Sequence, residues 1–104
     1  MTGWVYLFLA SAFEIGWAIG LKYTDGFTRP LPTLLTAASM VASMALLGLA
    51  VKTLPLGTAY AIWTGIGVVG TVAFGAALLG EPMSALRVFC VAMILFGVVG
   101  LKLA

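Results

Sequence analysis

The chain has 104 residues, of which 63% are hydrophobic and 8% charged, whereas a soluble domain carries about 45–50% apolar and about 25% charged residues. Five basic and three acidic residues cannot cover a water-soluble core, so most of the surface must face lipid. The lack of histidine and the single cysteine, Cys90, argue against a metal site and exclude a disulfide framework within the chain. The dispersed basic residues do not form a nucleic-acid-binding surface.

Four apolar runs follow one another, separated by short segments that contain charges, glycine and proline. A membrane-spanning helix needs about 20 residues, and the runs predict four helices at about 4–22, 30–51, 56–79 and 84–103. The fourth reaches this length only if Arg87 and Lys102 extend to opposite interfaces. We expect an all-α membrane protein with one domain over residues 1–104. We expect no cleaved signal peptide, because the first residues offer neither a basic start nor a cleavage site.

The first helix carries an acidic residue, Glu14, near the middle of the bilayer. An ionised side chain at that depth costs at least about 2.5–3.5 kcal/mol. Helical spacing places no Lys or Arg on the same face. The carboxyl is therefore either protonated or bound to a cation. A protonated carboxyl that only joins neighbouring helices is the alternative, but an intramembrane acid indicates a functional site by default.

Aromatic residues of the first and third helices lie at depths compatible with Glu14. Trp17, Tyr60 and Trp63 would suit a cation, because aromatic faces attract positive charge and their N–H and O–H groups can orient a carboxylate. Trp63 could equally belong to helix packing or to the interfacial belt. Ser43, on the second helix, is by itself more typical of a helix-packing hydroxyl than of a ligand.

Glycines of the third helix match the dinucleotide fingerprint G-x-G-x-x-G over residues 65–70. That fingerprint acts only between a strand and a helix start, so inside an apolar span the match is accidental. In a membrane helix, glycines permit close approach and bending. We expect Gly65 and Gly67 to form a hinge between two shapes of the helix, with tight packing as an equally weighted alternative.

The fourth helix predicts a contact between copies of the chain. It has no charge between Arg87 and Lys102, which we place at the two interfaces, and it carries small residues, among them Cys90 and Gly97. Seams of small residues pack membrane helices together. We therefore assign this helix to dimerisation and not to transport.

The basic residues give almost no bias in orientation. Lys52 and Lys102 lie on one predicted face, and Lys22, Arg29 and Arg87 lie on the other. Since Lys and Arg in short loops set orientation, this near tie predicts insertion both ways. Four short helices also enclose little volume, so we expect an antiparallel, dual-topology homodimer with a shared pathway.

Three segments resemble the small multidrug resistance transporters, and within them the guanidinium-exporting branch: FEIGWAIGLKY at 13–23, GFTR at 26–29 and PLGTAYAIWTGIG at 55–67. The likeness spans the whole chain in length, helix count and loop placement. It implies a four-helix protomer and an antiparallel homodimer in the inner membrane. It also implies proton-coupled antiport, in which protons and substrate compete for the paired Glu14 carboxylates.

The resemblance also assigns roles to residues of this chain. It makes Glu14 the coupling and binding acid, lets Tyr60 and Trp63 shape the site, and gives the third-helix glycines a kink. Trp17 and Ser43 match residues that orient the carboxylates for a planar cation in the guanidinium branch. The implied partners are guanidinium, protons, a second copy and the bilayer, with substituted guanidiniums or small quaternary ammonium ions as further substrates. No cofactor is implied.

Guanidinium fits such a site because it stays protonated, is planar, and pairs with carboxylates through two parallel hydrogen bonds. Three other functions stay open. An exporter of hydrophobic quaternary ammonium compounds is the first, although these ions lack hydrogen-bond donors and Trp17 would obstruct them. A rotary-motor proteolipid is the second, but it would have two helices. A non-transporting membrane subunit is the third, but it would not need Glu14.

Overall fold

The computed structural model describes residues 2–104, and Met1 of the predicted domain lies outside them. These residues form four α-helices: α1 (Thr2–Tyr23), α2 (Pro30–Ala50), α3 (Leu56–Leu79) and α4 (Ala85–Leu103). Each is long and apolar enough to cross a membrane, and residues 2–104 contain no strand. The expected fold class, an all-α membrane protein of four spanning helices, is confirmed.

Proline, glycine and serine set the ends of the later helices. α2 begins with Pro30, since the first residue of a helix needs no backbone N–H. α3 follows Pro55 and ends at Gly80, whose φ of 66° lies in the left-handed region and stops the helix. Ser84 caps α4 by accepting a hydrogen bond from the Arg87 amide at 3.2 Å.

A tight turn organised by Thr24 joins α1 to α2. The buried Thr24 hydroxyl donates to the Leu21 carbonyl at 2.8 Å and accepts from the Phe27 amide at 3.3 Å. Asp25, Gly26 and Phe27 have φ values of 50°, 68° and 66°. Three successive left-handed residues reverse the chain over a short distance. The turn therefore brings α2 back alongside α1.

α1 is the central helix, in contact with both α2 and α3, whereas α4 packs along α3. One further contact joins the ends of the chain, where the Lys102 ammonium lies 4.9 Å from the centroid of the Trp4 ring. α2 and α3 touch each other only slightly. The fold is thus held together mainly by the two long faces of α1.

The buried core lies in one half of the membrane-spanning length. Its members come from the first half of α1, the last turns of α2, the first half of α3 and the second half of α4: Leu7, Ala10, Leu47, Ala50, Ala59, Ile62, Trp63 and Val98. In antiparallel neighbours these segments share one level, near the start of α1. The other half, toward the end of α1, is less tightly packed and contains cavities.

α4 leaves almost its whole surface uncovered, with Val98 as its buried residue. Large apolar side chains are exposed on the other helices too, for example Leu31 on α2 and Leu56 on α3. Apolar surface of this extent needs lipid or another chain against it. With four membrane-length helices, the chain is a multi-pass membrane protein.

Candidate functional site

Glu14 lies in the middle of α1 and faces α3 at Gly67. A Cβ built on Gly67 would overlap the Glu14 carboxyl, so the carboxyl occupies space that only glycine leaves free. Its Oε1 atom is buried and has no hydrogen-bond partner among residues 2–104. A buried polar atom without a partner is costly. The site therefore favours a proton or a cation on this carboxyl.

A cavity of about 280 Å³ opens beside the carboxyl, between α1 and α3. Trp17, one turn after Glu14, lines it, and the Trp17 indole nitrogen is also buried without a hydrogen-bond partner. A carboxyl residue and an aromatic residue thus line one small space with apolar walls. Such a space can receive a small cation, which the carboxylate would neutralise and the aromatic ring would attract. Among residues 2–104, no group of three or more His, Cys, Asp or Glu residues could hold a metal ion.

Ser43 and Trp63 form a hydrogen-bonded chain across three helices. The Ser43 hydroxyl donates to the Ala10 carbonyl at 2.7 Å and accepts from the Trp63 indole N–H at 2.9 Å. Both side chains are buried. Ala10 is one turn before Glu14, and its carbonyl is the one that α-helical geometry pairs with the Glu14 amide. These hydrogen bonds therefore restrain the α1 backbone at Glu14.

Tyr60 lies on the outer side of the hydrogen-bonded pair Ser43 and Trp63. Its ring centroid is 5.6 Å from that of Trp63, with an angle of 51° between the planes, and the residue is 55% exposed. Trp17 lines the same cavity as Glu14, whereas Trp63 and Ser43 lie about one turn, and Tyr60 about two turns, toward the start of α1. The structure therefore divides the predicted site into two layers.

Gly65 and Gly67 allow close contacts on two different sides of α3. A Cβ on Gly65 would overlap Val98 of α4, and a Cβ on Gly67 would overlap Glu14 of α1. α3 is continuous from Leu56 to Leu79. These contacts favour the packing role that the sequence left open, and the hinge stays a prediction.

Cys90 and Gly97 lie on the uncovered surface of α4. Cys90 is exposed and lines a cavity of about 390 Å³ between α3 and α4. A Cβ built on Gly97 would meet no atom within 4 Å. Both positions are accessible to a second chain, and the dimer seam stays a prediction.

Two threonines of α3 were not among the predicted site residues. Thr71 lines the Glu14 cavity, and the Thr64 hydroxyl is buried without a hydrogen-bond partner among the described residues. Thr71 comes one turn after Gly67, so helical spacing from Gly67 would have placed it on the face toward Glu14. Thr64 shares a face with Tyr60, Trp63 and Gly67 by helical spacing, although threonine is also common in the contacts between membrane helices.

Comparison with known proteins gives a consistent result over nearly the whole chain. Residues 2–94 match the profile of the family described as Small Multidrug Resistance protein. The chain is similar to the "Guanidinium exporter" of Proteus vulgaris, with 55% identity over 101 residues that cover 97% of each chain. The "Guanidinium exporter" proteins of Salmonella typhimurium strain LT2 and Escherichia coli strain K12 are 54% and 50% identical, over 97% of this chain and 96% of theirs.

Proposed function

Because the chain belongs to the Small Multidrug Resistance protein family, we propose that it exports guanidinium across the inner membrane in exchange for protons. In this proposal two antiparallel copies share the transport site. The observation that carries the proposal is the buried, unpartnered carboxyl oxygen of Glu14 beside a cavity lined by Trp17. The relatives named "Guanidinium exporter", at 50–55% identity, support the choice of substrate.

Binding depends on the match between a planar cation and a carboxylate. Guanidinium presents N–H groups in one plane, so it can donate two parallel hydrogen bonds to the Glu14 carboxylate while an aromatic ring such as Trp17 covers its face. Ser43 and Trp63 act indirectly in this scheme. Their hydrogen bonds to each other and to Ala10 hold the α1 backbone, which keeps the carboxylate in position.

Coupling follows from the competition of two cations for one acid. An ionised Glu14 without a partner is costly inside the bilayer, which disfavours the conformational switch when the site is empty. Either a proton or guanidinium removes that cost, so the switch proceeds with one or the other bound. Alternation between the two loads drives guanidinium outward when protons flow inward.

A second copy of the chain completes the proposed site. The uncovered surface of α4 and the near tie of basic residues between the two faces support an antiparallel partner. Such a partner would bring a second Glu14 to the shared pathway, and inverted repeats of this kind place binding sites near the midplane. The small residues Cys90 and Gly97 would lie at the α4 contact.

Capacitive currents from liposomes containing the purified protein test this function. We expect guanidinium to evoke a current that weakens as the pH falls, because protons then occupy Glu14. A bulky quaternary ammonium ion should evoke little current, since it cannot donate hydrogen bonds to the carboxylate. Protein-free liposomes and the Glu14→Gln variant serve as controls.

Each other outcome has a definite meaning. A current with the bulky ion and none with guanidinium would make the protein an exporter of quaternary ammonium compounds, whose alkyl groups would pack against Val68 and Val72 in the cavity wall. Silence with both ions would refute transport of either class. A guanidinium current independent of pH would refute competition with protons.

A further inference from the structure

A second cavity, of about 230 Å³, continues from the Glu14 cavity toward the loop end of α1. Ala18 and Thr71 line both cavities, so the two spaces adjoin. The second cavity ends at two charged residues, Lys22 of α1 and Glu81 of the loop between α3 and α4. Together the two cavities form a groove between α1 and α3, which we name the α1–α3 groove.

Helical geometry explains why the groove is continuous. Glu14, Ala18 and Lys22 recur every fourth residue and therefore share one face of α1. Thr71 and Gly75 continue the facing side of α3 beyond Gly67 at the same spacing. Because each helical residue rises about 1.5 Å, Lys22 lies about 12 Å along the axis from Glu14.

Glu81 lies at the mouth of the groove because the chain folds back after α3. Its amide donates to the Gly75 carbonyl at 3.3 Å, and a Cβ built on Gly75 would overlap the Glu81 carboxyl. The absence of a side chain at position 75 thus allows the carboxyl to lie over the end of the groove. Lys22 lines the same cavity.

The opposite direction from Glu14 is filled by side chains. Leu7 and Ala10 on α1 and Ile62 and Trp63 on α3 are buried in the core on that side.

Two cavities adjoin the Glu14 cavity within this protomer: the one toward Lys22 and Glu81, and the α3–α4 cavity, which shares Val68 and Val72 with it. The α3–α4 cavity has Arg87 as its charged lining residue, so an acidic residue that could attract a cation lines only the cavity toward Lys22.

We propose that the α1–α3 groove is the path by which hydrophilic cations reach Glu14, and that Glu81 and Lys22 set their rate of entry with opposite sign. This inference rests on the proposed function, since guanidinium is the cation concerned. Glu81 attracts an approaching cation and Lys22 repels it, and apolar walls concentrate the field of both charges along the groove. Thr71 supplies a hydroxyl midway, where the ion sheds water before it meets the carboxylate.

The association rate of guanidinium, followed by tryptophan fluorescence after rapid mixing with the purified protein, tests the charges. At low salt we expect Glu81→Gln to slow association about threefold to tenfold, and Lys22→Gln to accelerate it by a similar factor. Both effects should shrink at high salt, where screening is strong. Both residues are exposed, so the substitutions should leave the fold intact.

Asp25→Asn is the matched control. Asp25 is exposed in the loop between α1 and α2, on the same membrane face as Glu81, and it does not line the groove. The substitution removes one negative charge as Glu81→Gln does, and asparagine tolerates the left-handed conformation at this position. We expect an association rate close to that of the unmodified protein. If Glu81→Gln and Lys22→Gln behave like Asp25→Asn at low salt, the charges do not act at the entrance.

A steric variant tests the path independently of charge. Ala18→Leu adds bulk where the two cavities meet, and we expect slower association at every salt concentration. Ala37→Leu, on the exposed surface of α2, is the control. Equal rates for the two leucine variants would overturn the path. An unmodified protein that binds no guanidinium would instead refute the proposed function, so the two failures are distinguishable.

Discussion

Glu14 and Gly67 form a pair in which the identity of each residue depends on the other. The carboxyl lies where a Cβ on Gly67 would be, and glycine is the residue that leaves this space free. The carboxyl in turn has a buried oxygen without a hydrogen-bond partner. An arrangement with this cost is expected where a group exchanges ligands.

Substitution of Glu14 by glutamine should abolish transport while preserving the fold. The amide has nearly the same size but cannot be ionised, so it neither neutralises guanidinium nor carries a proton. We expect loss of the guanidinium-evoked current to below detection, with an unchanged elution profile in detergent. Glu14→Asp retains the charge and should keep proton competition with weaker binding. Proton-driven guanidinium uptake by the Glu14→Gln variant would contradict the mechanism.

Substitution of Ser43 by alanine should weaken the contacts among α1, α2 and α3 one turn before Glu14. It removes the donor to Ala10 and the acceptor for the Trp63 indole, and we expect a loss of about 1–2 kcal/mol in stability. Guanidinium binding should weaken or its competition with protons should shift, because the α1 backbone at Glu14 loses a restraint. Thermal unfolding and binding at several pH values measure the two effects, with Ser39→Ala, one turn earlier on α2, as the control. An unchanged competition curve would leave Ser43 with a packing role alone.

At the scale of elements, α3 is the helix that contacts each of the other three close to the level of Glu14. Trp63 bonds to Ser43 of α2, Gly65 contacts α4 at Val98, and Gly67 contacts α1 at Glu14. These contacts lie within little more than one turn. A small rotation or bend of α3 at this level would therefore change all three helix contacts together, which is the property that a switching element needs.

Alanine at position 67 should impair binding far more than alanine at position 57. The Cβ at position 67 would displace the Glu14 carboxyl, and overpacking of this kind costs about 1–3 kcal/mol, which corresponds to about thirtyfold weaker guanidinium binding at the middle of that range. Gly57 on the same helix has no atom within 4 Å of a built Cβ, so Gly57→Ala should bind normally and gain helix propensity. Equilibrium titration with guanidinium measures both. Equal affinities would show that the carboxyl does not need the space beside Gly67.

The sequence predicted the helices and the family, because apolar runs and specific segments are local signals. The expected resemblance to the small multidrug resistance family is confirmed by the match over residues 2–94. Contacts between helices were harder to predict from the sequence. Periodicity shows which residues share a face but not which faces meet, so the bond from Trp63 to Ser43 and the place of Thr71 beside Glu14 emerged only from the structure.

At the scale of the whole molecule, one half of the protomer is packed and the other contains the α1–α3 groove. An antiparallel partner would place its packed half beside the open half of the first copy. One copy alone thus has an opening toward one membrane face, and a pair would have access toward both. This division accords with a transporter that exposes its site alternately.

Charge variants should separate the two orientations of the chain. Arg29→Gln with Arg87→Gln leaves an excess of basic residues on the face of Lys52 and Lys102. Lys52→Gln with Met83→Lys leaves an excess on the face of Lys22, Arg29 and Arg87. We expect each variant alone to insert one way and to give no resistance to guanidinium in a host that lacks its own exporter. Co-expression of the two should restore growth. Full resistance from either variant alone would contradict the antiparallel pair.

The contact between Lys102 and Trp4 places the last turn of α4 beside the first turn of α1, on one membrane face. A gene duplication that joined two copies through a short linker would therefore insert both halves in the same direction. The proposed antiparallel pair would need separately synthesised chains, or a fusion that carries an odd number of additional spans between its halves. The return of the chain to its starting face thus restricts how this protein could evolve into a single-chain transporter.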